Sequence, residues 1–283
     1  LGASGNAGAD ASEGDGLIEN GSELRLAELL PQVVAIARRA GDAIMKVYQE
    51  LNPEIEWKQD KSPLTQADLA SHRVICEGLA ALSLQFPILS EESAEIPFEV
   101  RQSWKTFWLV DPLDGTKEFL NRNGEFTVNI ALISEGFPVL GVVHVPVGEK
   151  AYLAAEGAGA RKVEHGVEAP IRVSGVQSST PRVVVSRLHG GGMEQTRVDL
   201  ETIGVDASGC TFIPMGSSLK FCVVAEGAAD LYLRNGPTME WDTAAAQCVV
   251  EMAGGMVSDL GGKRLRYNKP VLLNPGFLAS AAR

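Results

Sequence analysis

Apolar runs that stop abruptly at carboxylates, interleaved with segments of helical period, predict an α/β protein with an α+β N-terminal half and an α/β C-terminal half. Three observations carry this. Phe107-Trp-Leu-Val110 is a continuous apolar run closed by Asp111-Pro-Leu-Asp114-Gly-Thr116, the pattern of a buried strand that ends in a turn. From Leu26 onward, Leu29, Leu30, Val33, Ala37, Ala40, Ile44 and Val47 recur at helical spacing. In the second half, strand-like and helix-like segments alternate, the rhythm of an α/β layer.

Residues 1–22 hold few large apolar side chains and read as a flexible tail. The helix from Leu26 tolerates Pro31 if it lies in the first turn, and Asn52-Pro53 ends it. Glu54–Asp60 reads as a short strand, Lys61-Ser62-Pro63 as a loop and Thr65–Leu82 as a second helix. Pro87–Leu89 is a short strand that leads into Ser90-Glu91-Glu92-Ser93, and 94–106 reads as irregular. Phe126–Ser134 and Pro138–Val145, split by Glu135-Gly136, read as a hairpin, which Ala151–Ala155 extends. The polar, glycine-bearing stretch 156–168 reads as a gap. A division near 150 therefore gives an N-terminal domain, 23–150, and a C-terminal domain, 151–283. In the latter, Arg182–Ser186, Thr211–Met215 and Ala229–Leu233 read as strands, and 193–203, Leu219–Glu226 and Asp242–Met252 as helices.

The net charge of −11 argues against a nucleic-acid polymer as partner, since that needs a basic footprint. It leaves room for a small anionic substrate, because a bound cation inverts the local field. Cys76, Cys210, Cys222 and Cys248 form no Cys-x-x-Cys pair and read as free thiols in a reducing cytosol, so a cytoplasmic protein is expected. No apolar run has the length of a membrane span, and no secretory signal pattern is visible.

Asp111 and Asp114 sit at a strand's end, where α/β proteins bind ligands. Two acids so close repel unless a cation lies between them, and hard cations such as Mg²⁺ take carboxylate and carbonyl oxygens. The competing reading is a simple Asp-Gly turn with a strand-end cap. A calcium loop is excluded, because Leu113 and Arg122 occupy ligand positions. Glu91-Glu92 follows a strand as Asp111 does, although paired acids are usually a solvated patch. Asp242 precedes a helix rich in Ala, and it reads either as an N-cap or as a ligand at the positive helix end. Asp68 in a first helical turn is unremarkable by itself. The histidines His72, His144, His165 and His189 form no HxxxH set, and no Gly-x-Ser-x-Gly elbow or P-loop is present.

Taken in order, Asp68, Glu91-Glu92, Asp111-Pro-Leu-Asp114-Gly-Thr116 and Trp241-Asp242-Thr-Ala-Ala resemble the signature of the inositol monophosphatase superfamily of lithium-sensitive, Mg²⁺-dependent phosphatases. The resemblance covers most of residues 24–283. Lys117-Glu118-Phe119, Phe126-Thr-Val-Asn-Ile130, Gly216-Ser-Ser218-Leu-Lys220-Phe221 and Ala229-Asp230-Leu-Tyr232-Leu-Arg234 are similar to the CysQ-type 3′(2′),5′-bisphosphate nucleotidase branch. Inositol monophosphatases typically carry Thr and Asn after the Asp-Gly-Thr. Leu233 stands where Pro is common in that branch.

The resemblance implies a layered αβαβα sugar-phosphatase-like sandwich and two Mg²⁺ ions, with a third accommodated in the family. One ion is implied at Glu91, Asp111 and the Leu113 carbonyl, the other at Asp111, Asp114 and Asp242. Thr116 and Asp68 are implied as the relay that takes a proton from the attacking water. Glu91, Leu113, Asp114, Gly115, Thr116 and Asp242 would also contact the substrate, with Ser218, Lys220 and Arg234 meeting its second phosphate. The implied reaction removes the 3′-phosphate of adenosine 3′,5′-bisphosphate, a by-product of sulfate activation. Inositol or other sugar-phosphate hydrolysis is the alternative. A non-catalytic phosphonucleotide binder is less favoured, since the implied ligands and relay are all present. The resemblance is compatible with a monomer or a homodimer, and with peripheral association at an inner membrane.

Overall fold

Five layers stack in the order helix, sheet, helix, sheet, helix. The structure, a computed structural model, describes residues 17–19, 22–24, 26–50, 55–57, 63–93, 95–175, 180–187 and 192–281. Most of the segment read as a tail, and Asn52-Pro53, lie outside the described residues. Two short antiparallel pairs, β1 (Leu17–Glu19) with β2 (Ser22–Leu24) and β3 (Ile55–Trp57) with β4 (Pro63–Thr65), flank helix α1 (Leu26–Tyr48). The residues whose spacing predicts α1 are all buried, so the apolar stripe faces the core. Pro31 falls in the second turn of α1, beyond the N–H groups a helix leaves unbonded, and removes one internal bond there.

Helix α2 (Gln66–Ala80) packs beside α1 to complete the first layer. The first sheet comprises β5 (Ile88–Ser90), β6 (Thr106–Asp114), β7 (Thr127–Ser134), β8 (Phe137–Val145), β9 (Lys150–Ala155), β10 (Gly159–Glu164) and β11 (Val167–Pro170). Its seven strands lie in the order β11-β10-β9-β8-β7-β6-β5, and only β5 and β6 are parallel. Trp108, Val110, Ile130 and Leu132 face α1 and α2, whereas Leu109, Ala131, Ile133 and Val143 face the inner helices. Covering on both faces explains why the Phe107–Val110 run shows no polar alternation.

The stretch 156–168 is not a gap. β10 and β11 form the far edge of this sheet, and they carry Arg161 and Glu168 at exposed positions and Lys162 and Glu164 at half-buried ones. Charges of this kind keep an edge from pairing with other chains, and they dilute the strand signal. A division at 150 falls at the start of β9, inside the sheet. The segment 94–106 also holds a short helix, α3 (Phe98–Arg101), and the turn after β6 holds another, α4 (Thr116–Leu120).

Beyond the first sheet come α5 (Gly192–Thr202), α6 (Leu219–Ala225) and α7 (Ala244–Met252). The second sheet comprises β12 (Arg182–Ser186), β13 (Thr211–Met215), β14 (Leu231–Arg234), β15 (Gly255–Asp259) and β16 (Phe277–Ala281), in the order β13-β12-β14-β16-β15. α6 and α7 lie between the sheets, and α5 covers the outer face through Leu200 against Val183, Val185 and Leu233. The alanines of α7 allow a close approach to β8. A Cβ added at Gly141 would come within 2.3 Å of the Ala245 carbonyl oxygen.

Candidate active site

A bulge in β6 gathers the acids. Asp111 pairs with Asn129 and Asp114 with Thr127, so three steps along β6 match two along β7. Residues three apart on a regular strand point to opposite faces, whereas Asn129 and Thr127 share one. The extra residue therefore returns Asp114 to the face of Asp111, the re-aiming for which bulges are used beside sites. Pro112 suits the bulge because it has no N–H to offer the ladder. Ser71 of α2 donates to the Pro112 carbonyl at 2.7 Å, and the Leu113 N–H donates to Asp111 Oδ1 at 3.1 Å. Gly115 then turns the chain into α4 with φ +89°, a left-handed conformation suited to glycine. A Cβ there would also meet the Ser217 Cβ at 3.1 Å.

The remaining groups arrive from four other elements. Glu91 opens the 3₁₀ turn after β5, parallel to β6. Asp242 lies just before α7. The alternative reading of Asp242 as an N-cap does not hold: Thr243 is the cap residue, and Asp242 Oδ2 instead accepts backward from the Met239 N–H at 2.8 Å. Lys220 stands in the first turn of α6, and Arg234 ends β14. These residues, with Leu113, Gly115, Thr116 and Ser218, line one cavity of about 740 Å³.

The cavity's electrostatics are opposed. Burial lifts the Asp111 carboxyl well above the ordinary carboxylate range, and Glu91, Asp114, Asp242 and Asp68 add repulsion. Asp242 is lifted for the same reasons, burial first and then Asp114 and Glu91. Asp114 is also raised by burial, but Lys220 and the Ser218 N–H, which donates to Asp114 Oδ2, pull it back. Lys220 is buried and its ammonium is pushed down to about 8, chiefly by desolvation. Its Nζ donates to the Ser217 carbonyl and lies 5.6 Å from the Tyr232 ring centroid. Arg234 donates to the Pro237 carbonyl at 3.4 Å, and its buried Nε has no partner among the described residues.

The Ser218 hydroxyl is spent inside the protein, against Thr127 Oγ1 at 2.8 Å and Asn129 Oδ1 at 2.9 Å. Through these contacts β7 and α6 grip Asp114 from both sides. Asn129 and Thr127 were not legible as site residues, because they sit in a wholly buried strand. Glu118, from the Lys117-Glu118-Phe119 motif, also lines the cavity, as do Gln195, Asp199 and Asn235, which no motif marks.

Asp68 is 1% exposed and stands behind the cavity rather than on its wall. Thr65 and Asp68 form a capping box at the start of α2. Asp68 Oδ2 accepts from the Thr65 N–H at 2.8 Å and from its hydroxyl at 2.6 Å. Burial raises Asp68 to about 7, against the pull of these bonds and with repulsion from Glu92 and Glu91. Thr116 Oγ1 donates to the Leu113 carbonyl at 3.5 Å, so Asp68 and Thr116 are not joined by a hydrogen bond in this arrangement.

Among the described residues, no three Asp, Glu, His or Cys side chains are already drawn together as a ligand set. The donors nonetheless fit a hard divalent cation in kind: carboxylates and a backbone carbonyl. The raised acids show the wall to be short of positive charge.

A profile of the inositol monophosphatase family matches residues 25–283. The chain belongs to this family of divalent-metal-dependent phosphatases. Over 251 residues it is 52% identical to the 3′(2′),5′-bisphosphate nucleotidase CysQ of Salmonella typhimurium, spanning 88% of this chain and 98% of that one. The CysQ of Escherichia coli strain K12 is 50% identical over 254 residues, 89% of this chain and 99% of the relative. The crystal structure of CysQ from Bacteroides thetaiotaomicron matches at TM-score 0.78 and 40% identity, covering 89% of this chain and 97% of that one. The inositol monophosphatase of Anabaena (Nostoc) sp. PCC 7120 matches at TM-score 0.69 and 25% identity, covering 90% and 91%. Among the described residues, no helix is long and apolar enough to cross a membrane.

Proposed function

We propose that the chain is a 3′(2′),5′-bisphosphate nucleotidase that hydrolyses adenosine 3′,5′-bisphosphate to AMP and phosphate. One observation carries the reading: a single cavity joins a carboxylate wall to a second wall bearing Lys220 and Arg234. A phosphomonoester with one phosphate needs only the first. A substrate with two anionic groups uses both. The identity to relatives bearing the nucleotidase name over nearly their whole length supports this.

Two Mg²⁺ ions would be held on the carboxylate wall, one by Glu91, Asp111 and the Leu113 carbonyl, the other by Asp111, Asp114 and Asp242. Such ions neutralise phosphoryl oxygens and lower the pKa of water. The chain's own residues do the rest. Asp111 and Asp114 are fixed by the bulge and by the Leu113 and Ser218 N–H groups. The N–H groups around Gly115 and Thr116, at the start of α4, are the backbone donors that would meet the transferred phosphate.

Asp68 is the base, poised by burial near neutral pH. It receives the water's proton through the Thr116 hydroxyl, which must leave the Leu113 carbonyl to do so. Lys220 and Arg234 hold the 5′-phosphate, and water attacks the 3′-phosphorus without a covalent enzyme intermediate. The free thiols of Cys76, Cys210, Cys222 and Cys248 accord with a cytoplasmic setting.

Phosphate release from a panel of substrates, with Mg²⁺ and with or without lithium, tests the reading. Adenosine 3′,5′-bisphosphate is expected to be turned over best. Equal or faster turnover of inositol 1-phosphate overturns the assignment in favour of a sugar-phosphate phosphatase.

A further inference from the structure

The cavity is larger than a phosphate and its cations require, and its chemistry changes along the wall. Beyond Arg234 the wall carries two amides joined by one carboxylate. Gln195 and Asp199 lie four residues apart on α5 and so share a helix face. Asp199 Oδ1 accepts from Gln195 Nε2 at 3.0 Å and from Asn235 Nδ2 at 3.4 Å. All three residues line the cavity.

A carboxylate only accepts hydrogen bonds. Asp199 therefore fixes which end of the Gln195 amide turns toward it. A carboxamide without such a partner presents either of two opposite donor–acceptor patterns by flipping. Held at Nε2, Gln195 keeps its oxygen and its second N–H as one defined pair. Asn235 holds Asp199 in turn, and its own oxygen is packed against Gly276, where a Cβ would come within 3.0 Å.

We propose that Gln195 is the base-reading residue of this cavity, oriented by Asp199 and Asn235, and selects a purine edge that offers an amine donor beside a ring-nitrogen acceptor. This deepens the nucleotidase reading and rests on it. Adenine has that edge and pairs with a carboxamide through two bonds, whereas guanine offers two acceptors at the corresponding positions. Asp199 and Asn235 act through Gln195 and are positioning residues.

The test compares kcat/KM for adenosine and guanosine 3′,5′-bisphosphates, with ribose 3,5-bisphosphate as a substrate lacking the base. Wild type is expected to favour the adenosine compound roughly 5- to 100-fold, the discrimination of a good amide–base pair. Gln195→Ala and Asp199→Ala are expected to bring the two nucleotides to near parity, by raising KM for the adenosine compound at unchanged kcat. Turnover of ribose 3,5-bisphosphate should not move. Asp199→Asn retains an acceptor for Gln195 and should restore most of the preference. Retention of the preference in Gln195→Ala, or an equal loss on all three substrates, overturns the proposal and leaves the nucleotidase reading intact. A wild type that prefers inositol 1-phosphate to every nucleotide overturns both.

Discussion

The two walls of the cavity are frustrated in opposite senses. On the carboxylate wall, burial and mutual repulsion raise Asp111 and Asp242, so negative charge is costly there. On the cationic wall, burial lowers Lys220 to about 8, so its positive charge is costly, and the Arg234 Nε has no partner among the described residues. Each wall lacks what a ligand would bring: cations to the first, an anion to the second. The second wall partly relieves the first, since Lys220 draws Asp114 down.

The largest expected effect follows from removing charge on the first wall. Asp111→Asn and Asp114→Asn should each lower kcat/KM by more than about 10³-fold, above the 10- to 100-fold typical of residues that support a metal from outside its ligand set. In excess chelator, Asp111→Asn should unfold at a higher temperature than wild type, because the amide keeps the acceptor for the Leu113 N–H and ends the repulsion. With saturating Mg²⁺ the order should reverse, since only wild type gains full binding stabilisation. A chelated variant less stable than wild type would show that repulsion does not govern this wall.

Lys220→Met probes the second wall and the link between them. Loss of a charge-assisted bond of roughly 1.5–3 kcal/mol should raise KM for the bisphosphate about 10- to 150-fold. The Mg²⁺ concentration for half-maximal activity should fall, because a competing cation has left Asp114. A rise in both values would mean that Lys220 supports the carboxylates rather than the substrate.

The walls also differ in how far they were legible in the sequence. Glu91, Asp111 and Asp114 lie where apolar runs stop and Asp242 lies before a helix, so the chemistry of element boundaries marks all four. The resemblance implied that they converge, but residue spacing alone did not, because Asp111 and Asp114 share a face only through a bulge that pairs three steps with two. The grip of Thr127 and Asn129 on Ser218, about 90 residues away in sequence, is hidden in a run that reads as core. The five-layer order was implied by the family resemblance, whereas β10 and β11 were missed, because their charged, partly exposed positions break up the apolar run that marks a buried strand. Gln195 and Asp199 sit on a mostly polar helix that gives no apolar pattern to interpret.

Asp68 tests whether the frustration reaches behind the first wall. Its folded pKa of about 7 lies above the ordinary 3.8. A raised acid contributes stability that is fully present below about pH 4 and is lost as pH rises through about 7. At about 1.36 kcal/mol per unit, the loss is at most about 4 kcal/mol. Asp68→Asn keeps an acceptor for Thr65 but cannot ionise. Metal-free Asp68→Asn should therefore lose less stability than wild type between pH 4 and 7 in urea unfolding, while turnover collapses. Parallel pH–stability curves would place the Asp68 titration outside this window.

The smallest effect concerns the packing that keeps the two walls at a fixed separation. Asp242 precedes α7, and α7 rests on β8 at Gly141, where the obstacle to a Cβ is the backbone oxygen of Ala245. A flexible side chain could swing away, but a helix backbone must move as a unit. Gly141→Ala should cost about 1–3 kcal/mol of stability, as overpacking does. The displaced helix carries Asp242 with it and leaves β6 behind, so the Mg²⁺ requirement should rise a few-fold. KM for the bisphosphate, governed by α6 and β14, should stay near wild type. An equal change in the Mg²⁺ requirement and in KM would mean that α7 moves both walls together, and that their spacing is set by the second sheet instead.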